Sequence, residues 1–388
     1  MGGTKLSATQ RGGYSDALGK EPEFDAQPQS LEEISEATRW ADDAGKAVIP
    51  WGGGGGQSYG YAPTRADILL DLTRLNRILA VEPGDLTITV EAGATLASVQ
   101  SVLASHGQFL PISVKDADRA TIGGILATAA DSAVRDWVIG MTVIDALGRI
   151  VKGGGKVVKN VTGYDIPKMH LGALGTLGIL AEVTFKVAPI PEAQYSLYFG
   201  SPNATFLRLL HQQTQPSTSV LTQTSETNVL TVTYTGLREV VADEGEKAIK
   251  IARENGVVQV EAASSPTDFT ADVALAARIT GLPDSVPVRH ESLWKMGLWE
   301  TVETLPMAGA TTVFFRNTGN FSEGMNALLR WAEANQATFA VLNAPFSLRQ
   351  GDFPLWRPLP PSLPLMRRLK QALDPKATLN PGRFIDRI

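Results

Sequence analysis

The stretch that decides the fold is residues 47–60, Ala-Val-Ile-Pro-Trp-Gly-Gly-Gly-Gly-Gly-Gln-Ser-Tyr-Gly. Its first residues predict a short buried strand, and five consecutive glycines, Gly52–Gly56, follow at once. A glycine in regular structure costs roughly 0.5–1 kcal/mol in backbone entropy, so this run needs a compensating role. One interpretation is a flexible linker. The other is an anion-binding loop, in which a backbone without side chains turns several N–H groups inward.

The position of the glycine run favours anion binding. A further strand is predicted soon afterwards at Ile68–Leu70, so the run lies within one domain rather than between two. We therefore expect a phosphate-binding loop here.

Two later segments are also rich in glycine. Residues 119–128 read Arg-Ala-Thr-Ile-Gly-Gly-Ile-Leu-Ala-Thr and place a glycine pair at the start of a helix of small residues. Unpaired amides at a helix start suit phosphate, although close helix packing also selects glycine. The third segment runs from Lys159–Asp165 to Gly172–Ile179. The chain has neither G-x-G-x-x-G nor G-x-x-x-x-G-K-[ST], so the usual NAD and ATP loops are absent.

Composition limits the possible functions. The chain has 388 residues, 43% of them hydrophobic, which predicts two domains. A net charge of -5 does not suggest a nucleic-acid surface. The absence of cysteine excludes disulfides, cysteine-bound iron–sulfur clusters and cysteine-linked flavin in this chain. The four histidines form no tight pair, so no metal site is expected. Without an apolar signal core or spanning run, we expect a cytoplasmic protein.

The coarse organisation is predicted from the hydrophobic periodicity and from the residues that begin and end helices. Ser30 begins a predicted capping box, and the helix after it ends at Gly45. Thr95 caps another predicted helix. From Tyr195 to Asn343, strand-like and helix-like stretches alternate, which predicts an α+β layer domain with Val286–Arg289 as one of its strands. No internal sequence repeat is evident.

The glycine segments, in this order, resemble the PCMH-type FAD-binding domain of the vanillyl-alcohol-oxidase-like flavoproteins. Residues 157–165 and 175–178 are similar in particular to the FAD-binding accessory subunits of glycolate oxidases (glycolate dehydrogenases), and Leu379–Phe384 is similar to their ending. The resemblance covers residues 30–191 and 371–388, whereas the middle matches only in kind and length.

The resemblance implies an α+β fold in which a two-subdomain PCMH-type FAD-binding fold is followed by an α+β, ferredoxin-like cap domain. The expected division is a loose tail at 1–29, the FAD-binding domain at 30–192, a substrate-side cap at 193–370 and a C-terminal return to the flavin at 371–388. The expected cofactor is non-covalent FAD, because no histidine lies in the first glycine loop. The residues implied to bind it are Gly52, Gly53, Gly54, Gly55, Gly56, Gln57, Ser58, Thr121, Gly123, Gly124, Thr128, Gly178, Ile179 and Asn380.

One departure from the family concerns the segment after Thr128. About ten residues are missing there relative to the family, which puts in doubt how well this side of the flavin pocket is closed. The histidine cluster that binds metal in some D-2-hydroxyacid dehydrogenase relatives is also not apparent.

The predicted chemistry is oxidation of a small 2-hydroxy acid. Such a substrate needs a cation for its carboxylate and a base for its hydroxyl. Arg383, Arg316 and Arg289 are candidates for the cation, and His290 for the base, although surface arginines and lone histidines are commonly structural.

The resemblance implies a larger FAD-binding paralogous subunit and an iron–sulfur subunit as partners, to which the chain is expected to pass electrons. Association with a membrane through these partners stays open beside the expected cytoplasmic location. Two alternatives to this function also remain open: a non-catalytic FAD-binding or structural subunit of such a complex, and a stand-alone FAD oxidase of another alcohol or sugar.

Overall fold

The chain divides into two units, which a computed structural model describes over residues 18–19, 21–131, 133–155, 166–260, 275–315 and 321–388. The first unit comprises the described residues up to Ile190 together with Phe346–Phe353 and Leu359–Ile388. The second comprises the described residues of Pro191–Pro345 and Pro354–Pro358. The predicted cap range of 193–370 therefore includes residues 346–353 and 359–370, which the structure groups with the first unit.

The first unit begins with a small parallel sheet. Its strands are β1 (Phe24–Ala26), β2 (Val48–Trp51) and β3 (Ile68–Asp71), in the order β1-β3-β2. The helix Leu31–Asp43 packs its buried Ile34 and Ala41 into the same core. Ser30 caps this helix as predicted, because its side chain accepts a hydrogen bond from the amide of Glu33 at 3.2 Å. The prediction of a loose tail at 1–29 was wrong for β1, since Phe24 and Ala26 pack against the core.

An antiparallel sheet of five strands completes the first unit. Its strands are β4 (Ile78–Glu82), β5 (Thr87–Glu91), β7 (Val138–Ile144), β8 (Ile150–Gly154) and β9 (Ile179–Lys186), in the order β4-β5-β9-β7-β8. β6 (Gln108–Phe109) and β10 (Ala188–Pro189) pair separately. The helices of this region are Leu96–Ala104, Ile122–Thr128, Val134–Trp137 and Ile166–His170. Val90, Val99, Ile125 and Phe185 belong to the apolar core between sheet and helices.

The C-terminal part of the first unit contains the helices Phe346–Gln350 and Leu363–Leu373. The chain beyond them returns to the parallel sheet, where Leu379 forms a parallel bridge with Val48. The amide of Val48 donates to the carbonyl of Thr378 at 2.7 Å, and the amide of Asn380 donates to the carbonyl of Val48 at 3.0 Å. Residues 378–380 thus extend the sheet beside the strand that leads into the glycine run.

The second unit contains a sheet of nine strands, eight of which are built from one motif used twice. The strands are β11 (Ala193–Gly200), β12 (Thr218–Gln223), β13 (Asn228–Gly236), β14 (Val258–Gln259), β15 (Leu275–Thr280), β16 (Thr301–Leu305), β17 (Ala310–Phe315), β18 (Thr338–Asn343) and β19 (Trp356–Arg357). The helices are Ala204–Gln213, Arg238–Glu254, Val286–Lys295 and Phe321–Ala334.

Each half of this sheet follows the ferredoxin-like order of β-α-β-β-α-β. The first half gives β14-β11-β13-β12 and the second gives β16-β17-β15-β18, and the halves join through antiparallel pairing of β12 with β16. The duplication is a property of the backbone, since the sequence shows no repeat.

The prediction of a strand at Val286–Arg289 was wrong. These residues begin the helix Val286–Lys295, which has a proline in its first turn. Its buried residues Val286, Arg289, His290 and Leu293 follow the three-and-four spacing of one helical face. Over only four residues, the apolar run could not distinguish a strand from this face.

Candidate cofactor site

The two predicted phosphate segments lie in direct contact. We call residues 52–58 the glycine loop and residues 119–128 the second glycine segment. A Cβ atom on Gly52 would overlap Oγ1 of Thr121, and one on Gly53 would overlap the carbonyl oxygen of Arg119. A Cβ on Gly56 would lie 2.7 Å from Cγ2 of Thr128. Glycine is therefore required at three positions by close approach, which explains a run that entropy alone disfavours.

The glycine loop leaves a row of backbone donors open. Gly54 has a φ of +80°, a conformation that glycine adopts readily. The amides of Gln57 and Tyr59 donate to the carbonyls of Gly54 and Gly56, both at 3.2 Å. Within the described part of the chain, the amides of Gly52–Gly56 and of Ser58 have no hydrogen-bond acceptor. A buried or half-buried amide needs an acceptor, so this loop suits an anionic ligand.

Two buried arginines hold the glycine loop through its carbonyl oxygens. Nη2 of Arg383 donates to the carbonyls of Tyr59 at 2.8 Å, Gln57 at 3.1 Å and Gly56 at 3.4 Å. Nη1 of Arg383 donates to the side-chain oxygen of Gln57. Nη1 of Arg349 reaches the carbonyl of Gln57 at 3.0 Å. Arg383 was predicted as a substrate cation, whereas the structure directs its guanidinium at the loop.

Burial makes both cations costly. Burial, together with the nearby charge of Arg349, lowers the pKa of Arg383 to about 9. Burial alone lowers the pKa of Arg349 to about 10. Sequence reasoning missed Arg349 because a single arginine in the segment 346–350 carries no motif.

The second glycine segment forms a short capped helix. Thr121 accepts a hydrogen bond from the amide of Gly124 at 3.3 Å, and Oγ1 of Thr128 donates to the carbonyl of Gly124 at 2.8 Å. The amide of Gly123 donates to the carbonyl of Ala92 at 2.7 Å, so this amide is engaged within the protein. The prediction that Thr121, Gly123, Gly124 and Thr128 contact the cofactor stays a prediction.

A cavity of about 480 Å³ opens beside Gly53. Hydroxyl and amide side chains supply much of its lining, which consists of Gly53, Thr73, Asn76, Gly93, Thr95, Ser98, Asp118, Arg119 and Thr121. Nη2 of Arg119 donates to the carbonyl of Gly53 at 3.0 Å. The cavity therefore continues the surface on which the two glycine segments meet.

Three other predicted positions, Gly178, Ile179 and Asn380, are packed within the first unit. Gly178 leaves space for His170, whose Cε1 would lie 2.8 Å from a Cβ on that glycine. Ile179 is fully buried at the start of β9. Asn380 has a φ of +43°, and its Nδ2 donates to the carbonyl of Leu174 at 2.6 Å, while its Oδ1 is buried without a partner in the described chain. The similar stretch 157–165 lies outside the described residues.

Lys370 ties the C-terminal part of the chain to residues 174–178. Its Nζ donates to the carbonyl of Thr176 at 2.7 Å, to that of Leu379 at 2.9 Å, and to Asp374 at 2.5 Å. Asp374 in turn accepts from the amides of Thr378 and Leu379. Lys370 and Asp374 are nearly inaccessible to solvent. The sequence offered no sign of this buried ion pair beyond a spacing of four on a helix.

The short connection after Thr128 is stabilised by Asp131. Ala129 ends the helix in a left-handed conformation, and Asp131 accepts hydrogen bonds from the amides of Ser113 and Ala133, both at 2.8 Å. The segment is thus anchored to the rest of the unit despite its reduced length.

The candidates from the second unit are engaged internally. Nδ1 of His290 lies 2.8 Å from Oγ1 of Thr304, its Nε2 lies 2.9 Å from Oε1 of Gln223, and burial lowers its pKa to about 4. Arg289 donates to the carbonyl of Gly309 at 2.5 Å and to Oγ of Ser285 at 2.6 Å. A catalytic role for His290 stays a prediction, and this arrangement does not favour it. Arg316 lies outside the described residues.

The described residues contain no cluster of histidine, aspartate and glutamate suited to a metal ion. The helices described here also include none with the length and apolar character needed to cross a membrane.

Two families match parts of the chain. Residues 22–154 match the FAD binding domain, and residues 359–384 match the C-terminal domain of FAD linked oxidases. The chain is 16% identical to p-cresol methylhydroxylase with substrate bound, with a TM-score of 0.75 over 98% of this chain and 93% of that one. The predicted PCMH-type fold is therefore confirmed.

Sequence relatives cover the chain to different extents. The D-2-hydroxyglutarate dehydrogenase of Xanthomonas citri pv. viticola is 32% identical over 185 residues, which are 46% of this chain and only 39% of that enzyme. The glycolate oxidase subunit GlcE of Escherichia coli is 29% identical over 337 residues, which are 81% of this chain and 86% of that subunit.

Proposed function

We propose that this chain, which carries the FAD binding domain and the C-terminal domain of the FAD-linked oxidases, binds FAD non-covalently and serves the oxidation of a small 2-hydroxy acid within a complex. The observation that carries this proposal is the contact between the glycine loop and the second glycine segment. On this joined surface, the amides of Gly52–Gly56 and Ser58 have no acceptor in the described part of the chain.

The residues present fit the diphosphate of FAD. Side chains at Gly52, Gly53 and Gly56 would collide with the second glycine segment and displace the loop. The open amides of Gly52–Gly56 and Ser58 supply the donors that phosphate oxygens need. The cavity beside Gly53 offers hydroxyl groups next to these amides. The glycine loop contains no histidine, which supports non-covalent attachment.

When bound, FAD supplies the capacity to accept the two electrons and the hydrogen that leave a CH–OH group. The residues of this chain supply binding and orientation. Arg383 and Arg349 hold the glycine loop by its carbonyls, and Lys370 and Asn380 join the C-terminal segment to residues 174–178. These contacts fix the loops without supplying a base for the substrate hydroxyl.

The relatives support the substrate class and the assembly. Glycolate and D-2-hydroxyglutarate, named in the two relatives, are both 2-hydroxy acids. The relative GlcE, which covers 81% of this chain, is named as a subunit, which favours a complex. Because this chain has no cysteine, we propose that a separate iron–sulfur subunit and a larger FAD-binding subunit carry the electrons onward.

A second candidate function is a subunit that holds FAD without turning over substrate. The internal engagement of His290 and Arg289 favours it, since both were candidates for substrate chemistry.

One experiment separates the two functions. The purified chain should show flavin absorbance near about 370 and about 450 nm, and acid precipitation should release the flavin into the supernatant. Anaerobic glycolate or D-2-hydroxyglutarate should then bleach the longer-wavelength band. A yellow chain that neither acid bleaches supports the non-catalytic subunit, and a chain that binds no FAD contradicts both. Peroxide formed in air from another alcohol or sugar would indicate a stand-alone oxidase.

A further inference from the structure

Arg383 is a buried cation that forms no ion pair with a carboxylate of the described residues. Its relative exposure is 2%, and its Nη atoms donate to uncharged oxygens of Gly56, Gln57 and Tyr59. Its Nε is buried and has no partner in the described part of the chain. Burial and the nearby cation Arg349 both lower the pKa of Arg383. A buried, unpaired cation is costly, and a second like charge raises the cost.

The chain conformation holds Arg383 firmly in this place. Gly382 has a φ of +79°, and the carbonyl of Pro381 accepts from the amide of Thr64 at 2.8 Å. The amide of Tyr61 donates to the carbonyl of Arg383 at 3.0 Å. The guanidinium therefore meets the glycine loop in one fixed orientation.

The peptide group between Gln57 and Ser58 connects the guanidinium of Arg383 with an open amide on the other side of the loop. In a trans peptide the C=O and N–H point in opposite directions. Arg383 and Arg349 both hold the carbonyl of Gln57, so the amide of Ser58, in the same peptide group, points to the opposite side of the loop. That amide and those of Gly52–Gly56 are the open donors. The guanidinium thus lies on the carbonyl side of this peptide group. The N–H, which is the positive end of the peptide dipole, faces the opposite side of the loop.

We propose that Arg383 is a positioning residue that supplies the counter-charge for the cofactor diphosphate, acting through the glycine loop without touching the phosphate. This inference rests on the proposed function, because it requires FAD at the loop. It assigns the C-terminal arginine to the cofactor anion and not to the carboxylate of the substrate. It also explains why a fully buried cation is kept without a carboxylate: the diphosphate completes the charge balance.

The test compares ligands with and without phosphate. Dissociation constants of FAD and riboflavin are measured for the apo form of the whole chain by flavin fluorescence, for wild type, Arg383→Gln and Arg383→Lys. Arg65→Gln is the matched control, because Arg65 also donates to three backbone carbonyls in this unit, those of Gly45, Lys376 and Ala377, but is remote from the loop carbonyls.

Arg383→Gln keeps hydrogen-bond donors and removes the charge. We expect FAD affinity to fall by about 10- to 100-fold, the range for a charge-assisted contact, while riboflavin affinity changes by less than about threefold. Arg65→Gln should change neither the FAD affinity nor the riboflavin affinity. Equal losses for FAD and riboflavin, or unchanged FAD affinity, would overturn the counter-charge role.

Arg383→Lys keeps the positive charge and loses the planar guanidinium group. This variant therefore tests the counter-charge role if Arg383→Gln does not fold. We expect the preference for FAD over riboflavin to stay within about threefold of wild type. Collapse of that preference would overturn the proposal. A wild-type chain that binds no FAD would contradict the proposed function as well. A wild-type chain that binds FAD, with Arg383→Gln binding it equally well, contradicts only the role of Arg383.

Discussion

The residues predicted to bind the cofactor or the substrate use their donors differently in the two units. In the first unit, Nε of Arg383 and the amides of Gly52–Gly56 have no acceptor in the described part of the chain. In the second unit, both ring nitrogens of His290 have partners, and Arg289 donates to nearby oxygens. Unused donors on the glycine loop suit a ligand, whereas the satisfied donors of His290 and Arg289 indicate internal structure. The comparison therefore favours the glycine loop as the ligand site over His290 and Arg289.

A difference in how ion pairs are used supports this contrast. Lys370 and Asp374 form a buried pair that links a helix, the C-terminal residues and the loop 174–178. Lys295 and Glu291 form an exposed pair along one helix of the second unit. The first pair joins segments distant in sequence, while the second adds little beyond local helix stability.

The largest expected effect comes from Lys370→Met. Removing the lysine leaves the carboxylate of Asp374 buried, so we expect the free energy of unfolding to fall by roughly 3–5 kcal/mol. Denaturant unfolding monitored by circular dichroism measures it. Lys295→Met, which removes the exposed pair with Glu291, is the matched control and should cost less than about 1 kcal/mol. Similar losses in both variants would mean that the two ion pairs are equivalent.

Gly53→Ala tests whether the glycine loop of the first unit is the FAD site. The added Cβ would overlap the carbonyl of Arg119, so the loop must shift away from the second glycine segment. Strain of this kind reaches about 3 kcal/mol, and we expect FAD affinity to fall by about 100-fold. Fluorescence titration of the apo chain gives the dissociation constant. Gly84→Ala, at an exposed turn where a Cβ meets nothing within 4 Å, should leave it unchanged. Full FAD retention in Gly53→Ala would remove the loop from the site.

The smallest expected effect tests His290. Burial lowers its pKa from 6.5 to about 4, so the unfolded chain takes up a proton more readily between these values. Its contribution to stability is complete above about pH 6.5 and is lost as the pH falls toward about 4, by on the order of 3 kcal/mol.

His290→Gln should lower stability at pH 7 by about 1–3 kcal/mol and weaken the acid dependence, as measured by denaturant unfolding at several pH values. Exposed His106→Gln should change stability at pH 7 by less than about 0.5 kcal/mol. Unchanged stability in His290→Gln together with lost bleaching by glycolate would instead make His290 a catalytic base and end the contrast between the units.

Much of the fold was predictable from local signals. Ser30 and Thr95 cap helices where the sequence places them, because capping depends on a few neighbouring residues. The helix at Val286 was misassigned because four apolar residues are compatible with either period. The doubled ferredoxin-like motif was invisible, since two stretches of chain can share a topology without sharing residues.

The site was predictable only in part. Gly52, Gly53 and Gly56 could be identified from the sequence, because the lack of a side chain is a property of the residue itself. The role of Arg383 could not, because its hydrogen bond to Gln57 joins residues 326 positions apart.

The sequence by itself therefore determined which stretches of backbone lack side chains, and that thiol chemistry is excluded. The tertiary structure alone decided that the two glycine segments meet, that Arg383 joins the end of the chain to the glycine loop, and that Lys370 joins it to residues 174–178. The physical reason is range: conformational freedom and capping act over a few residues, whereas burial of a charge and the oxygens it meets depend on how distant segments pack.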